Sequence, residues 1–106
     1  IHVEDLAAAH LCALDYLNGG GSSDLFNCGY GHGFSVREVL KAVAEASGEK
    51  VPSQDGPRRA GDVARVISDS SKLRKTLNWE PRYDDLKVIC QTALEFERKR
   101  MSLEPF

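Results

Sequence analysis

Two arginines and an aspartate share the short segment Pro57-Arg58-Arg59-Ala60-Gly61-Asp62. A guanidinium grips phosphate oxygens through charge-assisted, often bidentate hydrogen bonds. A carboxylate close by accepts hydrogen bonds from ribose hydroxyls. Together they suit a nucleoside diphosphate. The same residues also fit a solvated loop with a local ion pair, and their spacing alone does not separate the two readings.

Two other patterns imitate familiar chemistry. Gly29, Gly31 and Gly33 fall after a strand-like run and before a helix-like one. That order resembles a dinucleotide-binding loop, but the final glycine comes too early. No acidic residue ends a second strand about twenty residues on. A structural turn is the expectation. Tyr83-Asp84-Asp85-Leu86-Lys87 contains a literal Tyr-x-x-x-Lys. Such a pair works when both side chains lie on one helix face, so that the ammonium favours the phenolate. Asp84 is expected to cap the following helix, which leaves Tyr83 outside it as a packing residue.

The remaining reactive side chains are scattered. Cys12, Cys28 and Cys90 are odd in number and widely spaced, which favours neither a zinc site nor a disulfide framework. Cys28 has no base beside it to make it a nucleophile. His2 and His10 fall near a packing helix without a ligand cluster, and His32 sits in a glycine turn. No metal site is expected.

These residues must be held by a small set of elements. Ile1 to Val3 reads as a strand end. Glu4 to Leu17 reads as a helix whose apolar face is Leu6, Ala9, Ala13, Leu14 and Leu17, stopped by Asn18-Gly19-Gly20-Gly21. Leu25 to Cys28 reads as a short strand. Ser35 and Glu38 form a capping box for a helix that buries Val36, Val39, Leu40 and Val43 and ends near Gly48. Lys50 to Gln54 reads as an edge strand because of Pro52, and Val63 to Ile67 as another short strand. Asp69 or Ser70 caps a short helix through Leu77. Trp79, in the turn that ends it, is expected to anchor the last helix, whose buried face would be Leu86, Ile89, Cys90 and Ala93. Arg98-Lys99-Arg100 falls at that helix's C-terminus, where cations suit the dipole. The fold class is therefore α/β, a small mixed helix-and-strand domain over residues 1–106.

Composition bounds the partners. Fourteen Lys and Arg against sixteen Asp and Glu give a net charge of -2. A nucleic-acid module would need a basic surplus to neutralise phosphates. No apolar run is long enough to span a bilayer, and no basic-then-apolar leader opens the chain. Unpaired cysteines suit a reducing cytoplasm. The start at Ile1, without a Met, reads as a piece of a longer protein.

Three segments, taken in order, resemble one family. "IHVEDLAAAHLCAL" is similar to the stretch that follows an Arg-Asp-Tyr in UDP-glucose 4-epimerases. "FNCGYGHGFSVREVL" resembles their asparagine, glycine-rich turn and Ser-Val-x-Glu-Val helix start. "PRRAGDVARVISDSSKLRKTLNW" is similar to their Pro-Arg-Arg-x-Gly-Asp segment with its later Asp-x-x-Lys and Leu-Asn-Trp. The ordered set covers most of the chain and is specific to nucleotide-sugar enzymes of the extended short-chain dehydrogenase/reductase family.

The resemblance implies that this chain is the C-terminal, UDP-sugar-binding part of such an enzyme. Arg59 would contact the diphosphate and Asp62 the uridine ribose, with Arg58 as structural support. The NAD-binding Rossmann domain, the catalytic Tyr-x-x-x-Lys and a second phosphate-binding arginine would precede Ile1, so no catalytic residue is expected here. The whole enzyme would interconvert UDP-glucose and UDP-galactose with NAD as hydride carrier. A cytoplasmic homodimer is the implied state. Another epimerase or dehydratase of the family, or a non-catalytic nucleotide-sugar-binding module, fits the same segments.

Overall fold

The computed structural model describes residues 1–103. Four helices form among the described residues: α1 (Val3–Asn18), α2 (Val36–Ser47), α3 (Ser71–Leu77) and α4 (Leu86–Ser102). The chain divides into two compact units, one from residues 1–33 and 65–84, the other from residues 34–64 and from 85 onward. Among the described residues none lies in a strand, which corrects the mixed helix-and-strand expectation. The reason is the lack of a pairing partner. Outside the helices, backbone hydrogen bonds close turns and caps and build no ladder. Residues 25–28, 50–54 and 63–67 run between the helices as single segments.

The first unit is built on α1 and α3. His2 caps α1, with Nδ1 accepting from the Glu4 N–H at 3.0 Å, so the expected strand end is already the helix cap. The core cluster joins Ala9, Leu73, Leu77 and Trp79. Cys12, Ala13, Tyr16, Phe26 and Cys28 pack at its margin. Trp79 is thus anchored on the first and third helices. Lys72 ties residues 24–26 to α3, bonding Asp24 and the Leu25 carbonyl and lying 5.0 Å over the Phe26 ring.

The inward face of α1 keeps Ala9 and Ala13 of the face expected from its periodicity and leaves its leucines out. Asp5, Ala8, Ala9, Cys12, Ala13 and Tyr16 are covered, whereas Leu14 and Leu17 stay exposed. Asp5 explains the rotation. Its carboxylate, 1% exposed, accepts from the Tyr30 hydroxyl at 2.6 Å and from the Arg82 and Tyr83 N–H groups at 2.8 and 3.0 Å. The Trp79 indole N–H donates to the Asp5 carbonyl at 3.0 Å. A buried carboxylate must be filled with donors, and this requirement turns residue 5 inward together with its neighbours at helical spacing. Burial pushes the Asp5 carboxyl up, but the bonds from Tyr30, Arg82 and Tyr83 outweigh it and hold the group below the usual carboxylate range. Burial, then the bond to Asp5, pushes the Tyr30 phenol up to about 12.

The second unit pairs α2 with α4. The capping box forms as expected: Ser35 Oγ accepts from the Glu38 N–H at 3.2 Å, and Glu38 accepts from the Ser35 N–H at 2.6 Å. Gly48 ends α2 in the left-handed conformation, φ +76°. Ala42 and Cys90 are the most covered residues of the two helices. Leu86 and Ile89 are half-buried as expected, but Leu94 takes the inward place given to Ala93, and Val36 and Val39 are exposed. Asp85, not Asp84, caps α4, accepting from the Lys87 and Val88 N–H groups. Asp84 is otherwise engaged, paired with His32 at 2.7 Å.

Candidate functional site

The 57–62 segment folds locally into a turn. The Asp62 N–H donates to the Arg59 carbonyl at 3.3 Å. Gly61 sits at the third position with φ +85°, which a turn of this hand requires and which L side chains rarely adopt. The turn brings Arg59 Nε to 3.1 Å from Asp62 Oδ2. Arg59 and Asp62 are exposed, their side chains 85% and 49% accessible. Upstream, Arg37 in the first turn of α2 pairs with Asp55 at 2.8 Å, both side chains largely exposed. Arg58 is exposed and forms no ion pair among the described residues.

An exposed ion pair between residues three apart contributes well under about 1 kcal/mol to folding. Chemically, the turn displays a guanidinium and a carboxylate side by side in water. One binds an anionic oxygen and the other accepts from hydroxyls, the two functions that a nucleoside diphosphate needs. The sequence singled out Arg59 and Asp62, and the structure pairs them across the turn. The Arg37–Asp55 pair was not legible in the sequence, because eighteen residues of chain separate the two side chains.

The imitations resolve into structure. A Cβ at Gly29 would lie 2.6 Å from Ser68 Cβ, and one at Gly33 would touch Ile67 at 3.4 Å. Gly29 makes room for the Ser68 side chain and Gly33 lies against that of Ile67, so both are taken up by packing. Neither glycine is open for close approach of a dinucleotide pyrophosphate. Tyr83 precedes the cap of α4 and stacks on His2 with ring centroids 4.5 Å apart, so it shares no helix face with Lys87. Burial pushes the Cys28 and Cys90 thiols up, away from the thiolate. Among the described residues no three His, Cys, Asp or Glu side chains gather as a metal site. No helix there is long and apolar enough to cross a membrane.

No protein-family model matches the chain. Comparison with curated proteins gives clear relatives. The chain is 48% identical over 93 residues to the UDP-glucose 4-epimerase of Lacticaseibacillus casei, covering 88% of this chain and 28% of that protein. It is 48% identical over 98 residues to the UDP-glucose 4-epimerase of Azospirillum brasilense, covering 92% and 28%. Solved structures agree. The UDP-Glc/GlcNAc 4-epimerase of Campylobacter jejuni superposes with a TM-score of 0.84 at 50% identity, over 93% of this chain and 30% of that one. The UDP-glucose 4-epimerase of Stenotrophomonas maltophila, solved with bound NAD and formylated UDP-arabinopyranose, gives 0.86 at 37% identity over 95% and 30%. In sequence and in fold, then, the chain is a segment of the UDP-glucose 4-epimerase family, spanning about three tenths of the length of the relatives it matches.

Proposed function

We propose that the full-length protein is an NAD-dependent UDP-glucose 4-epimerase and that this C-terminal segment holds the UDP half of its substrate. Arg59 takes the diphosphate and Asp62 the uridine ribose. The observation that carries the assignment is the 59–62 turn, which sets a guanidinium and a carboxylate side by side at 3.1 Å in an exposed loop. NAD, which carries the hydride, is held by a Rossmann-type domain outside this chain. The contribution of the chain is binding and orientation: fixing the nucleotide limits where the sugar ring can reach. Alone it converts nothing.

The finer features follow the same reading. The extended segments pack against the Rossmann-type part. The enzyme is a homodimer in the cytoplasm, where Cys12, Cys28 and Cys90 remain free thiols. The Campylobacter jejuni neighbour, named for both UDP-Glc and UDP-GlcNAc, makes the N-acetyl sugar the second substrate to try.

The test is conversion of UDP-galactose to UDP-glucose by the full-length enzyme, followed by chromatography. Conversion without added reductant is the expected result. No conversion, with NAD bound, would move the assignment to another nucleotide-sugar reaction.

A further inference from the structure

We infer that Gly61 is a positioning residue for the nucleotide grip, its left-handed backbone setting Arg59 and Asp62 as one preassembled unit. The inference rests on the assignment of Arg59 to the diphosphate and Asp62 to the ribose. A Cβ at Gly61 would meet nothing within 4 Å, so the glycine is not there to make room. What demands it is the φ of +85°. That conformation closes the turn through the Asp62 N–H and the Arg59 carbonyl.

The closed turn decides which edges of the two side chains stay available. Arg59 uses Nε toward Asp62 Oδ2. Its two Nη groups, the pair that can grip a phosphate bidentately, have no partner among the described residues. Asp62 keeps Oδ1 for a hydroxyl. Each side chain is thus steadied along one edge and open along the other. Exposed as it is, the pair adds little to folding. Its effect is to restrict two long side chains before the ligand arrives, which lowers the ordering cost of binding. Gly61, which touches no ligand, controls that effect through the backbone.

The experiment is calorimetric titration of UDP into the full-length enzyme carrying Gly61→Ala, Gly61→Asn, Arg59→Ala, or Arg59→Ala with Gly61→Ala. Gly61→Ala is expected to weaken UDP about tenfold, the scale of forcing an L residue into the left-handed region. Gly61→Asn, which tolerates that region better, is expected to lose less. In the Arg59→Ala background, Gly61→Ala is expected to add less than about twofold, since residues acting through each other are not additive. NAD content and melting temperature verify the fold, and Gly61→Asn carries the background comparison if Gly61→Ala does not fold. An equal loss in both backgrounds, or no loss while Arg59→Ala still weakens UDP, overturns the role of Gly61 and leaves the nucleotide assignment standing. Unchanged affinity in Arg59→Ala overturns that assignment, and this inference with it.

Discussion

A carboxylate out of water needs donors on its oxygens, and Asp5 receives three from segments 25 to 78 residues away. Replacing it by Asn keeps the shape but puts an amide donor where donors already converge. Asp5→Asn is expected to destabilise the unit by about 1–3 kcal/mol, the cost of a buried polar group left unsatisfied. A fall in the melting temperature of the full-length enzyme would report it. The pH dependence has a definite sign. The carboxyl of Asp5 is held below its ordinary value in the fold. Its stabilisation is therefore present above the ordinary carboxylate range and is lost as pH falls through the folded value. Tyr30 works from the other end. Its phenol is pushed up from 10.0 to about 12, so its contribution is present below 10 and lost as pH rises toward 12. In an ultraviolet tyrosinate titration, Tyr30→Phe is expected to remove a late-titrating component. Its persistence in that variant would contradict the assignment.

At the scale of elements, local signals and tertiary demands gave different results. The capping box at Ser35 and Glu38, the stop at Gly19 and the end of α2 at Gly48 were legible because each depends on neighbours in sequence. Ser35→Ala is expected to cost about 1 kcal/mol, read as a lower melting temperature. The inward face of α1 was legible only in part. Periodicity pointed rightly to Ala9 and Ala13, but also to Leu6, Leu14 and Leu17, which a buried Asp5 and the indole of Trp79 leave at the surface. The cap of α4 moved from Asp84 to Asp85 because His32, far off in sequence, takes Asp84. The strands failed for a related reason, since a strand exists only with a partner and none of these segments has one among the described residues. Gly29 gives the clearest check of the glycine turn. Gly29→Ala places a methyl 2.6 Å from Ser68 Cβ, so something must shift. Overpacking of this kind typically costs about 1–3 kcal/mol. Equal melting temperatures for Gly29→Ala and the parent would show that the turn has slack.

At the scale of the whole chain, apolar surface is left uncovered. Leu11, Leu14 and Leu17 are 63%, 53% and 53% exposed along α1. Large exposed apolar patches are rare on free-standing soluble proteins. The 106-residue chain on its own is therefore expected to bind the dye ANS strongly and to show no epimerase activity. Weak dye binding would contradict an open apolar face. The pairing of Arg59 with Asp62 falls within six positions of sequence, because a turn of that length needs no tertiary help. The family assignment came from the order of three segments and is matched by relatives at 48% identity.

The most direct test is the affinity of the full-length enzyme for UDP with and without Arg59→Ala, measured alongside NAD content. A loss of about 1.5–3 kcal/mol, that of a hydrogen bond to a charged group, is expected with NAD unchanged. Parental affinity in Arg59→Ala would contradict the claim that this turn holds the nucleotide.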